Sequence, residues 1–387
     1  MLIEANAPPL GPENAALLAD RAVRIARQKV LLASSLAEAV PADRFRELGR
    51  PLCGEDDCQC KPLRCSCVLC AAANACQRAG LPAEVKRGGH LHDFTPDVFH
   101  NAFAATTAPV LRVSSGDSIH MTTIDAAGTD EKGVQRAQAG NPETGPFYIE
   151  GAEPGDTVAI HLTRLRLNRD WAISTDTLSN LAITPALAAR MNGRGQLVRW
   201  RLDLRRGVAM RENGSANLAH FAVPLAPMLG CIALAPANAN APPHTGEFGV
   251  WGGNLDFNEI VEGTTVFLPV SVPGGLLYVG DAHAAQGDGE LSNNGLETSM
   301  DVTLRVERLP RRSISGPRVE SSTHLMALGL GTSLDDALRK ATTNMIEWLM
   351  ARHSLTFPEV SQVLGTSAEY TVERHRWPEC RNCHQGS

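Results

Sequence analysis

The stretch Ser299-Met300-Asp301-Val302-Thr303-Leu304-Arg305-Val306-Glu307-Arg308 alternates apolar and polar residues along its length. Side chains on a strand point to opposite faces in turn, so Met300, Val302, Leu304 and Val306 make one apolar face, while Asp301, Thr303, Arg305 and Glu307 make a wet one. This is the pattern of a half-exposed antiparallel strand, a piece of scaffold. The same period recurs upstream. Ile119, Met121 and Thr123 share a face with Asp125, which therefore points to the apolar side and needs either a donor network or a metal ion. Val158, Ile160 and Leu162 alternate too, but Leu165 and Leu167 fall on the other parity, which predicts a bulge near Thr163. With 34 Gly and 24 Pro marking many turns, the chain reads as mainly β.

Helical patterning is confined to the ends. Residues 13–39 carry an apolar stripe with few breakers, and residues 333–349 repeat apolar positions at Leu334, Leu338, Ala341, Met345 and Leu349 behind a Ser333-x-x-Asp336 cap. Thr356-x-x-Glu359, with Pro358 in the first turn, starts a shorter helix to Leu364. These patterns divide the chain into a helical, cysteine-rich extension (1–93), a β-rich domain (94–373) and a Cys/His-containing tail (374–387).

Composition narrows the function. A chain of 387 residues with 43% hydrophobic residues can bury a large core, and a net charge of -6 without a dense Lys/Arg stripe argues against nucleic acid and for a small neutral substrate. There is no apolar run long enough to span a membrane and no secretory pattern at the start, so the expected place is the cytoplasm, with no membrane partner. A chain of many short strands must cover their edges, and pairing with a second copy into a homo-oligomer, a dimer, is the expected solution.

The chemistry concentrates in Gly280-Asp281-Ala282-His283-Ala284-Ala285-Gln286-Gly287-Asp288-Gly289-Glu290, straight after the apolar Leu276-Leu277-Tyr278-Val279. If Leu277 and Val279 face the interior, the period of two puts Asp281 and His283 on the same inward face, two metal-capable ligands at the rim of a core. Gly287 and Gly289 allow a sharp turn and close approach to a bound group. Upstream lie Trp251-Gly252-Gly253-Asn254-Leu255-Asp256-Phe257 and Thr144-Gly145-Pro146-Phe147-Tyr148-Ile149-Glu150-Gly151.

In this order the segments, from about His100 to Thr371, resemble the acetamidase/formamidase family of amide hydrolases. The resemblance implies a mainly β, jelly-roll-like or β-sandwich core with α+β additions, to which the residues themselves add the N-terminal helical Cys-rich extension and the C-terminal helices. It implies hydrolysis of a small linear amide to carboxylate and ammonia, with a cyclic amide as the alternative, and a divalent metal, zinc in the first place. The matched positions are Asn254, Asp256, Asp281, His283, Gln286, Asp288 and Glu290, with His100 matching a His-Asn pair of relatives. Where many relatives carry a Cys-Gly-Thr-Ala-like stretch, this chain has Ser292-Asn293-Asn294-Gly295, and where some carry a His it has Trp251. The expected metal ligands are Asp125, Asp281 and His283. Glu290 is the expected base, with Gln286, Asp288 and His100 as further catalytic candidates, and Asn254, Asp256, Gly287 and Gly289 face the substrate.

Nine of the ten cysteines fall in two groups, Cys53, Cys58, Cys60, Cys65, Cys67, Cys70 and Cys76, then Cys380 and Cys383 followed by His384. Their Cys-x-Cys and Cys-x-x-Cys spacings suit zinc or an iron–sulfur cluster, which spacing alone does not separate, and free thiols or disulfides remain the other readings. A protein of another class, a metal-binding or redox sensor on a hydrolase scaffold, is the alternative function. Cys231, inside an apolar run, reads as core. His161, His220 and His353 read as surface or core residues.

Overall fold

The structure is a computed structural model and describes residues 2–5 and 89–372, apart from 181, 192–194, 215, 219 and 238–240. The predicted helix at 13–39 and both cysteine groups lie outside the described residues.

Two sheets carry the architecture. One has nine strands in the order Leu91–Asp93, Ser118–Thr122, Met300–Leu309, Thr157–Leu167, Thr265–Pro269, Arg318–Glu320, Leu325–Leu328, Leu2–Ala5 and Ala368–Thr371. The other, of eleven strands, is centred on Leu277–His283, which pairs with Met228–Leu234, Glu297–Thr298 and Thr144–Ile149. Inward residues of both sheets join one buried cluster: Ile119, Met121, Ile160, Leu162, Val302 and Leu304 from the first, and Phe147, Leu229, Ile232, Leu277 and Val279 from the second. A core shared between two facing sheets is a β-sandwich, as the family resemblance implied, built from strands that alternate as their patterns predicted.

Several expectations take shape here. Thr303 pairs with Arg164 and Leu304 with Leu162, so Thr163 is the extra residue of a bulge, and its hydroxyl donates to the Thr303 carbonyl at 2.9 Å. The helix Leu334–His353 starts after Ser333, whose hydroxyl accepts from the Asp336 N–H at 3.2 Å. Its Trp348 ring packs edge-on against Phe267, on the outer side of a strand whose Val266 and Leu268 face the core. Leu334 and Leu338 correct the expected stripe, for both are exposed; the helix is seated through the smaller Ala337 and Ala341 with Met345. The helix Phe357–Ser367 runs three residues past the expected end at Leu364, and Glu359 accepts from the Thr356 N–H at 2.7 Å. Among the described residues no helix is long and apolar enough to cross a membrane.

Candidate active site and metal centre

The strand Leu277–His283 holds its polar end in an uncommon way. Asp281 has φ 53, a left-handed conformation rarely taken by a residue with a side chain, and the alternation slips there. Ala282 therefore joins the same apolar cluster as Leu277 and Val279, with Leu229 opposite it across the sheet. Asp281 and His283 do share a face, but it is the outer one, with Tyr278 and Cys231, and not the sandwich face of Leu277 and Val279 that strict alternation implied. Gly230 makes room on the facing strand, for a Cβ there would lie 2.5 Å from Asp281 Oδ2 and 2.7 Å from Asp256 Oδ1.

His283 is fully buried and held from both ends of its ring. Gln286 Nε2 donates to the Asp256 carbonyl at 2.6 Å, which turns Gln286 Oε1 toward His283 Nδ1 at 2.8 Å. A carbonyl oxygen only accepts, so the proton sits on Nδ1. Nε2 then faces two carboxylates, Asp281 Oδ1 at 3.3 Å and Glu297 Oε1 at 3.2 Å, with no well-formed hydrogen bond. A bare imidazole lone pair between two carboxylates fits a cation, and a second-nitrogen hydrogen bond to a carbonyl is how metal-binding histidines are oriented. Ligand atoms converge in two overlapping groups that share this ring, Asp256/Asp281/His283 and His283/Glu290/Glu297.

The electrostatics agree. Burial would lower the His283 pKa, but Glu297 and Asp281 outweigh it and hold the ring well above its usual value when only protons are available. Burial pushes Glu297 up to about 7, against the opposing pull of His283. Glu143 is raised well above the ordinary range, first by burial and then by the Asp281 charge. Four carboxyls, Asp256, Asp281, Glu290 and Glu297, thus converge on one imidazole, with Glu143 coupled to Asp281 behind them, and each is less than a tenth exposed.

Other expected site residues are dispersed around this cluster. Asp125 is buried as its pattern required, yet Arg169 takes its Oδ2 at 2.7 Å and the Thr129 N–H its Oδ1 at 2.8 Å, so it has the donor network and is outside both convergent groups. The same Arg169 stacks 3.5 Å over Trp171 and donates to the Glu297 carbonyl at 3.2 Å, which steadies that short strand. Asp288 is exposed and accepts from Asn258 at 2.7 Å. Gly287 is exposed, whereas Gly289 is buried with φ 80. Asn254 accepts from Asn141 Nδ2 at 2.8 Å and donates to Asp256 Oδ2 at 3.2 Å. His100 is half-buried with its ring edge-on to Tyr278, and burial lowers its pKa against a hydrogen bond with the Gly145 backbone.

Two members of the cluster were not anticipated. Glu297 has the parity of the wet face of 299–308, but it belongs to the two-residue strand Glu297–Thr298 in the other sheet, where it lies directly opposite His283. Glu143 stands before Thr144-Gly145-Pro146 with no periodic context, and only the cross-strand neighbours bring it in.

Comparison with known proteins bears on the same segments. Residues 249–316 match the model of the Acetamidase/Formamidase family. A Schizosaccharomyces pombe protein carrying a formamidase assignment is 41% identical over 75 residues, which span 19% of this chain and only 18% of that protein. The acetamidase of Bacillus halodurans is similar in fold, with a TM-score of 0.61 at 29% identity over 73% of this chain and 92% of that one. The Yersinia enterocolitica acetamidase gives a TM-score of 0.64 at 25% identity over 76% and 90% of the two chains. The family-matched segment thus lies in a fold similar to those of solved acetamidases.

Proposed function

We propose that the protein hydrolyses the carbon–nitrogen bond of a small amide, giving a carboxylate and ammonia, at the cluster around His283. The observation that carries this reading is that residues 249–316, the family-matched segment, supply every member of both convergent groups: Asp256, Asp281, His283, Glu290 and Glu297. Asp281, His283 and Glu297 would hold a divalent cation, with Gln286 orienting the imidazole. When bound, such a cation polarises the amide oxygen and acidifies water.

The remaining work belongs to this chain's own groups. The Glu290 carboxylate takes a proton from the attacking water as its oxygen bonds to the carbonyl carbon, then returns that proton to the nitrogen as the carbon–nitrogen bond breaks. Asn254 and Asp256 fix one wall, and His100 with Tyr278 another. The buried surroundings strengthen each of these charges relative to water.

Ammonia release from formamide and acetamide is the test, measured on the protein as purified, after dialysis against a chelator, and after return of zinc. Activity lost with the metal and regained with zinc is expected. Full turnover by a protein shown to be metal-free would refute the cation, and no ammonia from any amide would refute the reaction.

A further inference from the structure

Next to the His283 cluster lies a set of buried acceptors for which the proposed reaction has no use so far. Glu143 is fully buried, and its backbone exchanges hydrogen bonds with His100 at 2.9 and 2.8 Å, which fixes its position over the sheet. Its carboxyl occupies space left by Gly280, where a Cβ would come 2.2 Å from Glu143 Oε2. Gly280 pairs with Cys231 and Cys231 with Asn254, so the three form one row across adjacent strands. Glu143 lies over one end of that row, its carboxyl against the Cys231 thiol, and Asn141 reaches the other end, donating from Nδ2 to Asn254. Among the described residues, neither oxygen of Glu143 nor Asn141 Oδ1 meets an N–H or O–H donor.

Buried acceptors are nearly always satisfied, because leaving one unmade costs more than a formed bond contributes. Beyond the Cys231 thiol that meets the Glu143 carboxyl, what these atoms lack are N–H or O–H donors. A primary amide offers two N–H groups on one atom, and the ammonium ion released from it offers four. We propose that Glu143, with Asn141, binds the NH2 group of a primary amide and then the ammonium product, so that the enzyme selects unsubstituted linear amides. This rests on the amide-hydrolase reading and deepens it. As a carboxylate Glu143 accepts both N–H groups; as a carboxylic acid it accepts one and donates its O–H to the amide oxygen, so either form fits. An N-methyl amide or a lactam replaces an N–H by carbon and leaves a buried acceptor unmet, the situation in which sites discriminate most strongly.

Two measurements test this on the full chain. The first compares kcat/KM for acetamide, N-methylacetamide and a five-membered lactam in wild type and in Glu143→Val, with Gly280→Ala as a second variant that displaces the same carboxyl. Wild type is expected to favour acetamide by about a hundredfold or more, and both variants to lose most of that preference, chiefly through KM. The second is calorimetric titration with ammonium chloride, which needs no turnover; Glu143→Val should bind ammonium about tenfold more weakly. Circular dichroism checks that the variants are folded, and Glu143→Val removes a buried carboxyl, so it should melt no lower than wild type. Unchanged preference and equal ammonium binding in folded variants would overturn the subsite. If wild type hydrolyses no amide but its ammonium binding depends on Glu143, the hydrolase reading fails while the nitrogen site stands.

Discussion

At the scale of single residues, the two ring nitrogens of His283 have different jobs, and the difference comes from Gln286. Its amide is oriented by the Asp256 carbonyl, so Nδ1 is the protonated nitrogen and Nε2 is directed at Asp281 and Glu297. Glu290, with φ 42 at the end of its glycine-flanked turn, belongs to the same group of ligand atoms but carries the proton-transfer role proposed above. Glu290→Gln should retain the fold and bound metal and lose about a hundredfold or more in ammonia release, the scale of a removed general base. Near-normal turnover in that variant would move the role to another carboxyl. Asp281, His283 and Glu290 were legible in the sequence because glycines and polar residues crowd one short run. Glu143 was not, since it stands just outside the Thr144 to Gly151 segment and no spacing ties it to the central run, and Asp125 shows the converse: a buried carboxylate correctly placed by its pattern, whose partner Arg169 lies too far along the chain for any pattern to show.

At the scale of elements, the strand Leu277–His283 serves two layers through the slip at Asp281. Strict alternation correctly paired Asp281 with His283 but put them on the wrong face, because one left-handed residue reverses every side chain after it. Glu297 escaped for a related reason: the alternating run after it belongs to a different sheet, so its parity carried no information about its own strand. The scaffold was easier to read. The bulge at Thr163 announced itself through a change of parity on both sides, whereas the exposure of Leu334 and Leu338 depends on which helix face meets the sheet and is settled only by packing. The slip also makes Gly230 indispensable. Gly230→Ala should push Asp281 and Asp256 apart, lower bound metal and turnover together by about tenfold or more, and reduce stability by about 1–3 kcal/mol as an overpacked site. A variant with full metal content and unchanged turnover would mean that the two carboxylates can move without consequence.

At the scale of the whole molecule, a cluster of buried carboxyls links stability to pH and to metal. Glu297 is raised from 4.5 to about 7, Glu143 is raised well above 4.5, and His283 well above 6.5, so the metal-free fold holds more protons than the unfolded chain. Stability therefore falls as pH rises, from about 4.5 upward for the two carboxyls, while the His283 contribution is complete below about 6.5 and is lost through its higher folded value. The cation proposed above would replace the protons on His283 and Glu297. Melting temperatures taken from about pH 5 to 8 with chelator should decline, and those taken with zinc should decline less, so the gap between them widens with pH. A constant gap would show that the cation binds elsewhere. The two-sided strand has a further consequence for how this protein can change. Since Ile232, Leu234, Leu277 and Val279 belong to the sandwich core, while Gly230, Asp281 and His283 line the chemistry, the two sets can be mutated and selected separately: libraries at the first four positions should yield heat-resistant variants with native turnover, leaving substrate range to be explored from the opposite side of the same backbone.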